Sequence, residues 1–282
     1  MEEQAPQPTQ FVLDYAPWSV SKANVAAECP KRFHFTYILK KPRKTNPDAL
    51  VGNAVHKAVE YVLGGYPLSK AFDAVVAQYE LMSEELDRVM FFQPAVQNFM
   101  QKFESYCKRH NAGTPAIEQR LAVDLEGRPV KFFDKRAFMR GVLDLSVLFR
   151  GTPHGLVLDH KTGKQHDLKY FQNQFLGYVL LLKAAHPDLT GIKVGINFLK
   201  TDAIQMGKMY DVTSIEPVRR SIIEFLNQAT RETADFEKAV PSKLCGWCDH
   251  QEYCPAHVGN DHGQDQEEGN NPGTAMEDMD AG

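Results

Sequence analysis

The sequence predicts an α/β domain with a central mixed β-sheet flanked by helices, a helical elaboration ahead of the sheet and a cysteine cluster behind it. Three observations predict this. Residues 19–110 read almost wholly as helix. Four apolar stretches with strand character follow between residues 116 and 199, with a helix ahead of the last. Three cysteines then crowd into "KLCGWCDHQEYCP" (243–255). Strands interleaved with helices bury their apolar faces best as layers around one sheet.

The elements follow in order. Residues 1–17, polar and proline-containing, read as a flexible leader. Residues 19–40 read as helical, with a break at Pro30, because proline has no N–H to continue a helix. "KPRKTNPD" (41–48) is a loop. "GNAVHKAVEYVLGG" (52–65) is a helix stopped by a Gly pair, and 68–110 hold two more helical stretches. "AIEQRLAVDL" (116–125), "FMRGVLDLSVLF" (138–149) and "GLVLDHKT" (155–162) read as strands separated by turns. "DLKYFQNQFLGYVLLLKAA" (167–185) reads as an amphipathic helix, "GIKVGINFL" (191–199) as a strand and 214–238 as a long last helix. Because the N-terminal helices lack an obvious core of their own, residues 18–258 are expected to form one domain. Residues 259–282, low in aromatics and high in charge, are expected to be disordered.

The chain has 282 residues, enough for one large domain without disulfide support. Five cysteines, three of them crowded together, make a poor disulfide framework and a better metal site in a reducing compartment. The start, MEEQAPQPTQ, has no hydrophobic region, and no run approaches the length of a membrane span. A soluble, cytoplasmic protein is expected. The formal net charge is −4, but residues 259–282 hold seven acidic residues and no Lys or Arg, so the remainder is net positive. Cations gather in "KRFHFTYILKKPRK" (31–44). Basic residues interleaved with aromatics suit a polyanion backbone and its bases; a solvated helix face is the alternative. No Walker-type G-x4-G-K-[ST] stretch is present, so a helicase motor would be a separate chain.

The chemistry concentrates in "VLDHKTGK" (157–164). Asp159 and Lys161 stand two apart at the end of an apolar strand, which points both to one face. A carboxylate that holds a divalent ion, beside an ammonium that orients water and meets developing charge, suits phosphodiester hydrolysis. A strand-end ion pair is the plainer reading. Asp144 interrupts the apolar run of "RGVLDLSV", where a carboxylate is costly unless paired or bound to a cation. Neighbouring strands lie about 4.8 Å apart, close enough for Asp144 and Asp159 to share an ion. His56, in "GNAVHKAVE", becomes a ligand candidate beside them. Gln174 and Tyr178, at i and i+4, share a helix face and suit contacts to a phosphate or to the lysine. Cys245, Cys248 and Cys254, in C-x2-C-x5-C spacing, offer three thiolates to a metal that wants four.

"CPKRFHFTY", "GNAVHKAVE", "GVLDL", "LDHKTGK", "QNQFLGY" and "CGWCDHQEYCP" occur in that order. Together they resemble the RecB-like branch of the PD-(D/E)XK nuclease superfamily, a restriction-endonuclease-like fold. The likeness is greatest to members with an iron–sulfur cluster, namely AddB-type nuclease domains and small CRISPR-associated exonucleases, and it spans roughly residues 18–257. It implies His56, Asp144 and Asp159 as ligands of Mg²⁺ or Mn²⁺, Lys161 as the catalytic lysine, and Gln174 and Tyr178 as supports of DNA binding and catalysis. Glu118 matches an acidic position often found on the first strand and is a secondary candidate. The first Pro-Asp pair of the family name is absent, and Leu143 precedes Asp144 instead. Cys29 matches the family's upstream cysteine and becomes the fourth ligand. Closing the intervening loop of roughly 216 residues costs about 5 kcal/mol of chain entropy. The isolated ligand and the resemblance favour a 4Fe–4S cluster over Zn²⁺. Cys107 is left over as an ordinary thiol.

The expected function is a divalent-metal-dependent deoxyribonuclease, an exonuclease on single-stranded DNA or DNA ends in recombination, repair or phage and CRISPR DNA processing, with a helicase or recombination protein as a candidate partner. The alternative is a non-catalytic DNA-binding or partner module on the same fold.

Overall fold

A computed structural model describes residues 6–43 and 46–258. Its centre is a six-stranded mixed sheet in the order β2-β1-β3-β4-β5-β6. The strands are β1 (Ala116–Val123), β2 (Pro129–Val130), β3 (Met139–Leu148), β4 (His154–Lys161), β5 (Gly191–Phe198) and β6 (Ala203–Asp211). Neighbours are antiparallel except β4 and β5, which run parallel. A parallel pair needs a crossover, here the helix of residues 172–185.

Among the described residues, seven α-helices precede the sheet: α1 (Gln10–Asp14), α2 (Val20–Glu28), α3 (Pro30–Phe33), α4 (Pro47–Leu63), α5 (Leu68–Tyr79), α6 (Ser83–Met90) and α7 (Gln93–Arg109). The crossover is α8 (Gln172–Ala185), and α9 (Glu216–Ala229) follows the last strand. The sheet divides two cores. On one face Val157, Val194 and Ile196 meet α2, α8 and α9, while Leu145, Leu156 and Leu158 on the other meet α4, α5 and α7. Strand alternation sets this division: Leu156 and Leu158 face one way, Val157 the other.

Several elements differ from the sequence reading. Within the expected leader, α1 buries Val12, whose carbonyl accepts a 2.7 Å bond from the Trp18 indole. The break expected at Pro30 is present: α2 ends at Glu28 and Pro30 opens α3. At N1 its missing N–H is no loss. A π-helical turn, His34–Ile38, follows. Residues 68–110 form three helices rather than two. The crossover is not amphipathic: residues 177–182 of α8 are all buried, as expected for a helix covered on every side. The helix expected over 214–238 ends at Ala229, where the Thr230 hydroxyl bonds the Leu226 carbonyl at 2.8 Å. The acidic tail lies outside the described residues. Among those described, no helix is long and apolar enough to cross a membrane.

Candidate active site

A defect shared by two strands shapes the site. In a regular strand Leu143, Leu145 and Val147 would share a face. Here Leu143 joins one core, while Leu145 and Val147 join the other. The change occurs at Asp144. The opposing position on β1 is Glu118, whose φ of +49° is rare for a residue with a side chain. Pairing continues on both sides, Ile117 with Leu145 and Gln119 with Leu143. The β3–β4 ladder ends at Leu145 and Leu158. Beyond it the Asp144 carboxylate takes over, with Oδ2 accepting from the His160 N–H at 2.8 Å. Left-handed backbone inside a strand is costly and concentrates at functional sites.

The kink assembles a ligand set. His56 on α4, Glu118 and Asp144 offer atoms that all lie within 4.8 Å of one another. His56 Nδ1 is 3.5 Å from Asp144 Oδ2. Gly52, one turn before His56, lets α4 approach β4: a Cβ there would meet Thr162 Oγ1 at 3.3 Å. Crowding shows in the acidities. Burial, reinforced by the Asp159 charge, holds the Asp144 carboxyl well above the usual carboxylate range. Burial, then Glu60, raises Glu118. Burial lowers the His56 imidazole, against the pull of Asp159, so it stays neutral and free to ligate.

Asp159 is held differently. Its Oδ1 accepts from the Tyr178 hydroxyl at 2.5 Å and from Gln174 Nε2 at 2.9 Å, while Gln174 also reaches the Tyr178 oxygen at 2.7 Å. Lys161 Nζ lies 2.7 Å from Oδ2. Oδ2 is buried, with the Lys161 ammonium as its charged neighbour and no further hydrogen bond. A cation fits such an oxygen. The arrangement follows from β4 alternation: Asp159 and Lys161 share the face covered by α8, and His160 points the other way. His160 is fully buried, edge-on to the Phe99 ring, with Nδ1 3.0 Å from Asn197 Nδ2. Burial, then His56 and Lys161, pushes its pKa down to about 3. The exposed openings are at Lys161 and His56, whose side chains are 30% and 31% accessible against 3% for Asp159.

Residues 17–255 match the family model described as the PD-(D/E)XK nuclease superfamily. The chain belongs to that superfamily. No curated protein matches it. Among solved structures it is similar to SSO0001, at 15% identity and a TM-score of 0.32, over 85% of this chain and 98% of that one. The mixed six-stranded sheet flanked by helices is the restriction-endonuclease-like fold of the superfamily, whose members use divalent metals. The His56–Glu118–Asp144 group is a candidate site for one.

The structure brings all six residues expected from the sequence to one place, but not as one ligand shell. Asp159 engages Lys161, Gln174 and Tyr178, while Glu118, set second in the sequence reading, stands with His56 and Asp144. The strand pattern of "AIEQRL" gave no sign of the φ that turns Glu118 inward.

The cysteines gather elsewhere. Cys29, Cys245, Cys248 and Cys254 line one cavity of about 180 Å³. Cys29 sits between α2 and α3. The cysteine segment, 243–255, is fastened beside it by a bond between Thr36 Oγ1 and His250 Nε2 at 2.9 Å. Among the described residues, no three cysteine sulfurs lie within 4.8 Å of one another. A single tetrahedral ion with bonds of about 2.3 Å would draw them closer than that.

Proposed function

We propose that this protein is a Mg²⁺- or Mn²⁺-dependent deoxyribonuclease of the RecB-like branch, acting as an exonuclease on single-stranded DNA or DNA ends. The observation that carries the reading is Lys161 Nζ 2.7 Å from the buried Asp159 carboxylate, beside the His56–Glu118–Asp144 ligand group. A non-catalytic module has no need of a lysine and three acidic groups brought together in a half-buried cluster.

His56, Asp144 and Asp159 would hold the metal, with Glu118 as a further ligand. A divalent cation bound there supplies polarisation of the phosphate and a water of lowered pKa. Lys161 orients the attacking water and meets the negative charge that develops as the new P–O bond forms and the old one breaks. Gln174 and Tyr178 fix the Asp159 carboxylate. Asp159→Ala and Lys161→Ala should abolish cleavage of end-labelled DNA, and EDTA should abolish it in the unaltered protein. Cleavage that survives EDTA, or survives in the Asp159 variant, refutes the assignment.

Cys29, Cys245, Cys248 and Cys254 would hold a 4Fe–4S cluster. Four thiols around one cavity, one of them far from the other three in the sequence rather than in a second close pair, support a cluster over zinc. Anaerobically purified protein should be brown, with about four irons per chain. Stoichiometric zinc without iron would overturn this.

A further inference from the structure

The segment joining β2 to β3, "KFFDKRAF" (131–138), has no part in the ligand set, yet it presents an aromatic ring to water. Phe133 is 76% exposed. It meets the half-buried Phe132 edge to face, ring centroids 5.1 Å apart. Arg140 lies over both rings, 5.4 Å from Phe132 and 5.9 Å from Phe133, and Arg120 lies 5.9 Å from Phe132. Among the described residues, no carboxylate is within ion-pair distance of Arg120 or Arg140, whereas Arg128, Arg136 and Arg219 are all paired. Exposed phenyl surface is unfavourable in water, and two unpaired guanidinium groups beside it form a surface that is apolar and cationic together.

Position adds a second observation. One cleft of about 370 Å³ is lined by Phe132 and Arg140 and also by Gln174 and Tyr178, the pair that holds Asp159. Arg120 is two residues from Glu118 on β1. A ligand occupying this cleft therefore touches Phe132 and Arg140 together with the support of the reacting centre, and Phe133 extends that surface outward through its contact with the Phe132 ring. Its chemistry must offer flat apolar faces and repeated negative charge. An unpaired nucleic-acid strand offers both, while in a duplex the base faces are already stacked.

We propose that Phe132 and Phe133, flanked by Arg120 and Arg140, form a base-stacking platform that holds single-stranded DNA in the cleft it shares with Gln174 and Tyr178. This deepens the nuclease reading and rests on it for the identity of the ligand.

The test is binding of a fluorescent oligo(dT) and of an abasic strand of equal length to the full chain, without added divalent cation. The unaltered protein should prefer the strand with bases. Phe133→Ala should weaken oligo(dT) about 5- to 150-fold, the range of one lost base stack, and leave the abasic strand unchanged. Phe133→Tyr should restore binding. Phe133 is exposed, so an unchanged melting curve accompanies the loss. Arg140→Ala should weaken both strands and flatten the salt dependence by about 0.7 in log–log slope. Equal affinity of Phe133→Ala and the unaltered protein for oligo(dT), or no preference for bases over the abasic strand, overturns the platform, as it would if the patch served a protein partner. Cleavage in Mn²⁺ tests the nuclease reading separately: base-dependent binding without cleavage leaves the platform and removes the nuclease, and cleavage with Phe133-independent binding does the reverse.

Discussion

Tyr178→Phe removes one oxygen from the protein and tests what holds Asp159. The ring packs in the core between the sheet and α8, and it stays there in the variant. What is lost is the 2.5 Å bond from the hydroxyl to Asp159 Oδ1 and the 2.7 Å bond the hydroxyl accepts from Gln174. A hydrogen bond to a charged group contributes about 1.5–3 kcal/mol. Gln174 still donates to Oδ1 at 2.9 Å, so the lower half of that range is expected, about 1.5–2 kcal/mol. For a chain of this size that lowers the melting temperature by roughly 3–8 °C. The same energy expressed in the transition state lowers kcat about 10- to 30-fold. Thermal melts and steady-state cleavage of single-stranded DNA in Mn²⁺ measure the two. Gln174→Ala and the double variant complete a cycle, and the shared oxygen predicts a coupling of at least about 0.5 kcal/mol. Tyr178→Phe that melts and cleaves like the unaltered protein refutes the claim that this hydroxyl positions Asp159.

Two other predictions concern the metal site and the sheet. Asp144 and Glu118 have carboxyl pKa values raised on folding, so the folded state binds protons more tightly than the unfolded one. Metal-free protein should therefore lose stability as pH rises from the ordinary carboxylate range through those raised values, and Mn²⁺ at a hundred times its Kd should return about 2.7 kcal/mol; calorimetry that shows neither effect rules out a cation at this cluster. Gly195 lies at a register shift between β5 and β6, and a Cβ there would meet the Gln205 carbonyl at 2.8 Å and Met206 Sδ at 2.7 Å. Gly195→Ala should cost about 1–3 kcal/mol by denaturant unfolding, and an unchanged midpoint would show that β6 yields freely.

The strands that carry the chemistry were legible because each is an apolar run closed by turn residues. β3, β4 and β5 fall within a residue or so of their expected limits. β6 was not, because "AIQMGKMYD" mixes Gln, Gly and Lys into an edge strand that buries little. The helix expected over 214–238 stops at Ala229; residues 230–238 carry no proline or glycine to mark the stop in the sequence. In the site, Asp159 and Lys161 are two apart and meet by strand geometry alone, and Asp144 stood out as a charge in an apolar run. Glu118 depends on one backbone angle that only the kink against Asp144 reveals. The division between the Asp144 group and the Asp159 group is likewise a matter of side-chain partners, contributed by α8 from beyond the next loop.

The cysteine cavity and the cleft share α2, and this makes one more outcome testable. The start of α2 lines the cleft through Ser19, Val20 and Ser21, and its far end is capped by Cys29. Nine residues of helix span about 13 Å, so a cluster on Cys29 would fix the end of an element whose other end forms a wall of the cleft proposed to take DNA. Other ties exist. The Thr233 hydroxyl bonds the Ala26 carbonyl at 3.2 Å, and Lys31 pairs with Glu237 at 2.6 Å while its N–H reaches the Lys238 carbonyl at 3.1 Å. These polar ties are local, and the exposed part of the Lys31–Glu237 pair contributes little. Cys29→Ser should therefore lose its iron, retain most of the fold, and raise KM for single-stranded DNA several-fold with kcat changed less than twofold. The Phe133→Ala and Cys29→Ser effects on KM should fall short of additive, since both act on one cleft. A Cys29→Ser protein without iron that keeps its melting temperature and its KM would separate the cavity from the cleft, leaving Cys29 with no mechanical role in DNA binding.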